Sequence, residues 1–117
     1  MNQQECQQAG INYAEGVARF VGNASLYEHF LAEFLKDGTF AELEQAMAAG
    51  DAKAAFNAAH TLKGLTGNLS LSALYGQLVP FVDALRGEAD LPRAHLLFPA
   101  VQQDYRQTAA FLAARLG

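Results

Sequence analysis

His60, Lys63, Gly64 and Gly67 stand within Ala58-Ala59-His60-Thr61-Leu62-Lys63-Gly64-Leu65-Thr66-Gly67, a segment that otherwise reads as helix. In an α-helix, positions i, i+3, i+4 and i+7 share one face. The imidazole, the ammonium and the two glycines therefore lie side by side. An imidazole is a nucleophile, a cation offsets negative charge, and glycine clears surface. The set suits a phosphoryl group carried on His60 and presented to another protein.

A helical wheel sharpens the reading. Ala55, Ala59, Leu62, Thr66 and Leu69 fall in one narrow arc, with Phe56 on its shoulder, and that arc should face the core. His60, Gly64, Gly67, Lys53 and Asn57 fall on the far side, with Lys63 at the boundary. Glycine inside a helix costs roughly 0.8–1 kcal/mol relative to alanine, so Gly64 and Gly67 need a reason. Close packing of a neighbouring helix is one. Access for a partner fits better, because their face is the solvent side. The Lys63 ammonium can reach a phosphoryl group on His60. Lys53, two turns earlier, adds a weaker positive field. Asn57 and Thr61 are auxiliary candidates for polar contacts, and Leu65 is the apolar rim candidate for a docking partner.

The elements that must position this face are helices throughout. Ala, Leu, Gln and Glu are abundant and Ile occurs once, at Ile11, which favours helix over strand. Residues 2–9 read as a short helix ended by Gly10. Asn12, with Glu15, opens a second short helix that ends at Gly22. A third begins near Asn23 or Ser25, where Ser25 and Glu28 form a capping box. Its apolar face comprises Leu26, Tyr27, Phe30, Leu31, Phe34 and Leu35, and Gly38 stops it. Thr39 and Glu42 form another box for a helix through Ala49, ended by Gly50. Asp51 caps the His60 helix, from about Ala52 to Leu69. Ser70 or Ser72 caps the next, to about Arg86, which Pro80 should kink or split. Asp90 caps the last helix, with Pro92 in its first turn. Its buried stripe is Leu97, Val101, Tyr105, Thr108 and Leu112, and Pro99 should bend it near its start. Short connections make neighbouring long helices antiparallel. The expected fold is all-α: an up-and-down, antiparallel four-helix bundle over 23–117, with short additional N-terminal helices over 1–22, in one domain.

Bulk properties narrow the function classes. A chain of 117 residues suits one core. Cys6 is the single cysteine, so an intramolecular disulfide is excluded. The net charge of −4 and the scattered basic residues argue against a nucleic-acid partner. The apolar runs are too short to span a bilayer. The polar start Met1-Asn2-Gln3-Gln4-Glu5 lacks the basic region of a signal peptide, so the expectation is a cytoplasmic, free-standing protein. No metal is expected, because His29, His60 and His95 lack partners at ligand spacing; His29 and His95 read as surface residues. Gly-rich phosphate loops and Walker motifs are absent, so a nucleotide-using kinase is not indicated.

Ala59-His60-Thr61-Leu62-Lys63-Gly64 resembles the signature of histidine-containing phosphotransfer (HPt) domains of bacterial phosphorelays. The likeness is best over about 51–71 and looser from about 24 to 115. The lead-in Arg19-Phe20-Val21-Gly22-Asn23, with Leu26-Tyr27 and Phe30-Leu31, is also similar to free-standing members. The resemblance implies that His60 accepts a phosphoryl group on Nε2 from a receiver-domain aspartate and passes it to another receiver. Lys63 then matches the lysine near the phosphoryl group and Gly64 the glycine that leaves room for the partner. It further implies a monomeric phosphocarrier without an independent catalytic site or resident cofactor, the receiver supplying magnesium. Ser70 stands where many members have a second glycine. Where some place a Gln or Glu to orient the histidine, this chain has Val82, next to Asp83 and beyond Gln77; the last two are auxiliary candidates. The alternative is a docking module that binds a receiver or histidine kinase without carrying phosphate.

Overall fold

The computed structural model describes residues 1–116. They form seven helices and no strand: α1 (Gln3–Gln8), α2 (Tyr13–Arg19), α3 (Ala24–Phe34), α4 (Thr39–Ala49), α5 (Ala52–Asn68), α6 (Ser72–Leu85) and α7 (Leu91–Leu116). Five of the helix starts have a side-chain cap. Asn2, Asn12, Asn23, Asp51 and Asp90 each accept a backbone N–H two or three residues on. The other expected caps do not form. Asn23 rather than Ser25 caps α3, and Glu28 instead accepts the Tyr13 hydroxyl. At α4 the Thr39 N–H donates to Asp37 Oδ1, so Thr39 is inside the helix. Leu71 occupies the N-cap position of α6 without a side-chain bond, so neither Ser70 nor Ser72 caps it.

Four helices end through a left-handed residue: Gly10 (φ 81°) after α1, Val21 (φ 56°) after α2, Gly50 (φ 68°) after α4 and Ser70 (φ 55°) after α5. In each, the next N–H reaches back to a carbonyl of the last turn, as Leu71 does to Thr66 at 2.9 Å. This accounts for the Ser70 position physically. It needs the left-handed conformation that glycine adopts freely. Serine is held there by its Oγ–H, which donates to Glu15 Oε1 at 2.8 Å.

The helices α4, α5, α6 and α7 pack in sequence, joined by the short connections 50–51, 69–71 and 86–90. Stacking of Phe40 on Tyr105 (3.8 Å between centroids, 7° between planes) and the Glu44–Arg106 ion pair (2.9 Å) close α4 against α7. The 26 residues of α7, at about 1.5 Å rise each, match the 41 Å long axis. Its buried stripe is Ala94, Phe98, Val101, Thr108 and Leu112, while Leu97 and Tyr105 are half-buried. Both α6 and α7 continue through their prolines. Gly76 and His95, four residues earlier, are exposed, so water can take the carbonyls that Pro80 and Pro99 leave without a donor.

Helix α3 packs on α7. Only Tyr27, Leu31 and Phe34 of its expected apolar face are buried; Leu26 and Phe30 are about two-fifths exposed. Tyr27 is fully buried and its hydroxyl donates to Leu69 O at 2.6 Å. Burial raises the Tyr27 hydroxyl pKa well above the usual tyrosine value. Two backbone bonds fasten the N-terminal segment to the α5–α6 turn: Asn12 N–H to Ser70 O (2.9 Å) and Ala73 N–H to Gly10 O (3.0 Å). They bring α2 alongside the C-terminal half of α5.

Candidate functional site

The face of α5 opposite its core arc is solvent-facing. Ala55, Ala58, Ala59, Leu62 and Thr66 are buried, and Lys53, Asn57, His60, Thr61 and Gly64 are exposed. The Thr66 hydroxyl, inside, donates to Lys63 O at 3.0 Å and leaves no buried orphan. His60 lies in the wall of a depression of about 470 Å³ with Lys63, Gly64 and Gly67 of α5, Tyr75 of α6 and Glu15 and Arg19 of α2. Ser70 and Ser72 add hydroxyls at its floor and rim.

The His60 ring is oriented by stacking. Phe56, one turn earlier, lies nearly parallel to it, with centroids 5.6 Å apart and planes 14° apart. The Arg86 guanidinium sits over Phe56, 5.4 Å from its centroid. Among the described residues no side chain hydrogen-bonds the imidazole. Val82 is fully buried, and Asp83 pairs with Arg86 at 3.7 Å. Gln77 is exposed on α6 outside the depression.

The two glycines differ. A Cβ on Gly64 would meet nothing within 4 Å. One on Gly67 would come within 3.1 Å of the Tyr75 ring, so Gly67 lets α6 pack closely as well as lining the depression. Gly64→Ala should therefore stabilise the fold by roughly 0.8–1 kcal/mol, the helix-propensity difference alone. Urea denaturation reads this directly. A loss of stability would mean that the space over Gly64 is not open.

The other candidates lie apart. Asn57 and Thr61 line a second groove between α5 and α4, with Glu42 and Gln45. Leu65 lines a third, with Phe20, Phe30 and Phe34. Lys53 is two turns from His60, about 10 Å along the axis at 1.5 Å per residue. Among the described residues, neither Lys53 nor Lys63 has a carboxylate at ion-pair distance. Lys63 is thus an unpaired cation beside His60. Arg19 and Glu15 are the site residues that spacing on α5 could not find. Their i, i+4 relation on α2 was visible, but not where the chain reversal at 10–12 would place them.

A family model for the Hpt domain matches residues 25–111, well over half of the chain. The chain belongs to the Hpt domain family. Comparison with curated proteins and with solved structures gave no significant match. Hpt domains are phosphocarrier modules of two-component phosphorelays, loaded on a histidine. The match covers α3 to α6 and most of α7, including all of α5, and stops short of α2. Among the described residues no helix is long and apolar enough to cross a membrane, and no group of His, Cys, Asp and Glu is arranged to hold a metal ion.

Proposed function

We propose that this Hpt domain shuttles a phosphoryl group between receiver domains, with His60 as the carrier. The observation that carries the reading is the pairing of an exposed imidazole with an unpaired lysine and an open surface at Gly64, all facing one depression. Phe56 stacks on the ring, and the imidazole is exposed. The Nε2 lone pair attacks the phosphorus of a receiver aspartyl phosphate, the N–P bond forms, and the aspartate carboxylate leaves as the P–O bond breaks. The reverse sequence loads the next receiver. Such a transfer depends on positioning and charge neutralisation. Lys63 supplies a positive charge on this side, and the receiver supplies magnesium and the aspartate. Gly64 admits the receiver close enough for the two reacting atoms to meet. The chain retains glycine there although alanine would fit and favour the helix.

The test is transfer from a phosphorylated receiver domain. Label should move to this protein within the assay, survive alkali and be lost in acid, as a phosphohistidine is. Receiver binding with no label from a panel of receivers would replace the carrier reading with a docking module.

A further inference from the structure

We propose that Arg19, carried on α2, is a second cationic ligand of the phosphoryl group on His60, waiting in an exposed pair with Glu15 until that group arrives. The inference rests on His60 being the carrier. It adds a residue from a helix that precedes the family match.

The placement is built from the backbone outward. The bonds from Asn12 to Ser70 and from Ala73 to Gly10 pin the start of α2 to the end of α5. Arg19, in the last turn of α2, then lines the same depression as His60 and Lys63. Glu15 holds it there. Its Oε1 lies 3.5 Å from Arg19 Nε and also accepts the Ser70 hydroxyl at 2.8 Å. The carboxylate oxygen that faces Arg19 is thus also held by Ser70, while the guanidinium has no second carboxylate at ion-pair distance among the described residues.

The energetics favour release. The Arg19 and Glu15 side chains are each about half exposed (49% and 48%), and exposed ion pairs contribute little. A phosphoryl dianion is a stronger partner, because guanidinium and phosphate form parallel, charge-assisted hydrogen bonds. The charged groups around His60 in the depression are Lys63, Arg19 and Glu15. With Lys63 alone, a dianion would be half compensated and would face the Glu15 carboxylate. Arg19 completes the compensation and can turn from one anion to the other without moving α2. Ser70 keeps Glu15 drawn back as this happens.

The experiment loads the histidine chemically, so it does not depend on finding a receiver. Phosphoramidate is used to phosphorylate the full chain in a His29→Gln, His95→Gln background, which leaves only His60 to react. The phosphorus resonance is then followed against pH for that protein and for its Arg19→Gln and Arg19→Lys forms. A nearby cation favours the dianion and lowers the phosphoryl pKa. The expected result is a roughly threefold to tenfold higher proton affinity of the phosphoryl group in Arg19→Gln, with Arg19→Lys between the two. Thermal melts of the three should coincide, since Arg19 is exposed. Coincident titrations of wild-type Arg19 and Arg19→Gln would overturn the Arg19 assignment alone and leave the carrier intact. Failure of His60 to take the group in any form would overturn both.

Discussion

His60→Gln should abolish transfer from a phosphorylated receiver while leaving the fold and the receiver affinity nearly unchanged. The two halves of this expectation have separate causes. Glutamine approximates the length and polarity of histidine but has no lone pair nucleophilic enough to open an acyl phosphate, so label should fall to background. His60 is exposed on the outer face of α5 and has no hydrogen-bond partner among the described residues. Its packing is the Phe56 stack, and an aromatic pair contributes about 0.5–1.5 kcal/mol beyond burial. The melting temperature should therefore drop by only a few degrees, a 1 kcal/mol change being worth about 4–8 °C for a domain of this size. Transfer assays and calorimetric titration with an unphosphorylated receiver check the two halves. Label persisting on His60→Gln would move the carrier to another side chain, and His29 and His95 are both exposed alternatives.

The same residue shows why much of the site was legible in the sequence. Its face of α5 follows from helical spacing, because the core arc is apolar and the opposite arc is not. Every position assigned to that core arc is buried, and His60 and Gly64 are exposed as the wheel requires. The caps at Asn12, Asn23, Asp51 and Asp90 were readable for a related reason: each acts within three residues of itself. What depended on contacts distant in sequence was not readable. Gly67 faces outward on the wheel, yet Tyr75 of α6 packs against it. Phe30 belongs to a periodic apolar face, yet only part of that face finds α7, and Phe30 instead stacks on Phe20, 5.4 Å away, half in water. Glu15 had the spacing of a capping-box partner, but Asn12 N–H is taken by Ser70 O, which leaves the carboxylate for Ser70 and Arg19. Each miss is a tertiary partner outcompeting a local one.

Gly16→Ala should be among the most damaging small substitutions in the chain, although it replaces a helix-weakening residue by the best helix former. A Cβ on Gly16 would overlap Tyr27 Cζ and its hydroxyl oxygen, so something must move. Tyr27 has little freedom to do so. It is fully buried, lies against the Tyr13 and Phe20 rings at 5.6 and 5.7 Å, and its hydroxyl is bonded to Leu69 O. Rotating it away would bury an unpaired hydroxyl and a free carbonyl, at about 1–3 kcal/mol each. Holding it in place would overpack the contact, at a further 1–3 kcal/mol. The cheaper escape is for the seven-residue α2 to lift from α3. The expected result is a loss of about 2–4 kcal/mol in unfolding free energy, with hydrogen exchange rising first in α2. Gly16→Ala combined with Tyr27→Leu should cost less than the sum of the single changes, because the shorter side chain vacates the clash. Strict additivity would show that the two positions do not meet. The consequence reaches the site, since α2 brings Arg19 and Glu15 to the depression beside His60. Undocking α2 should weaken the hold on the phosphoryl group while leaving α5, Lys63 and Gly64 in place. If His60 is the carrier as proposed, a buried glycine on a helix outside the family match would then control how firmly the phosphoryl group is held.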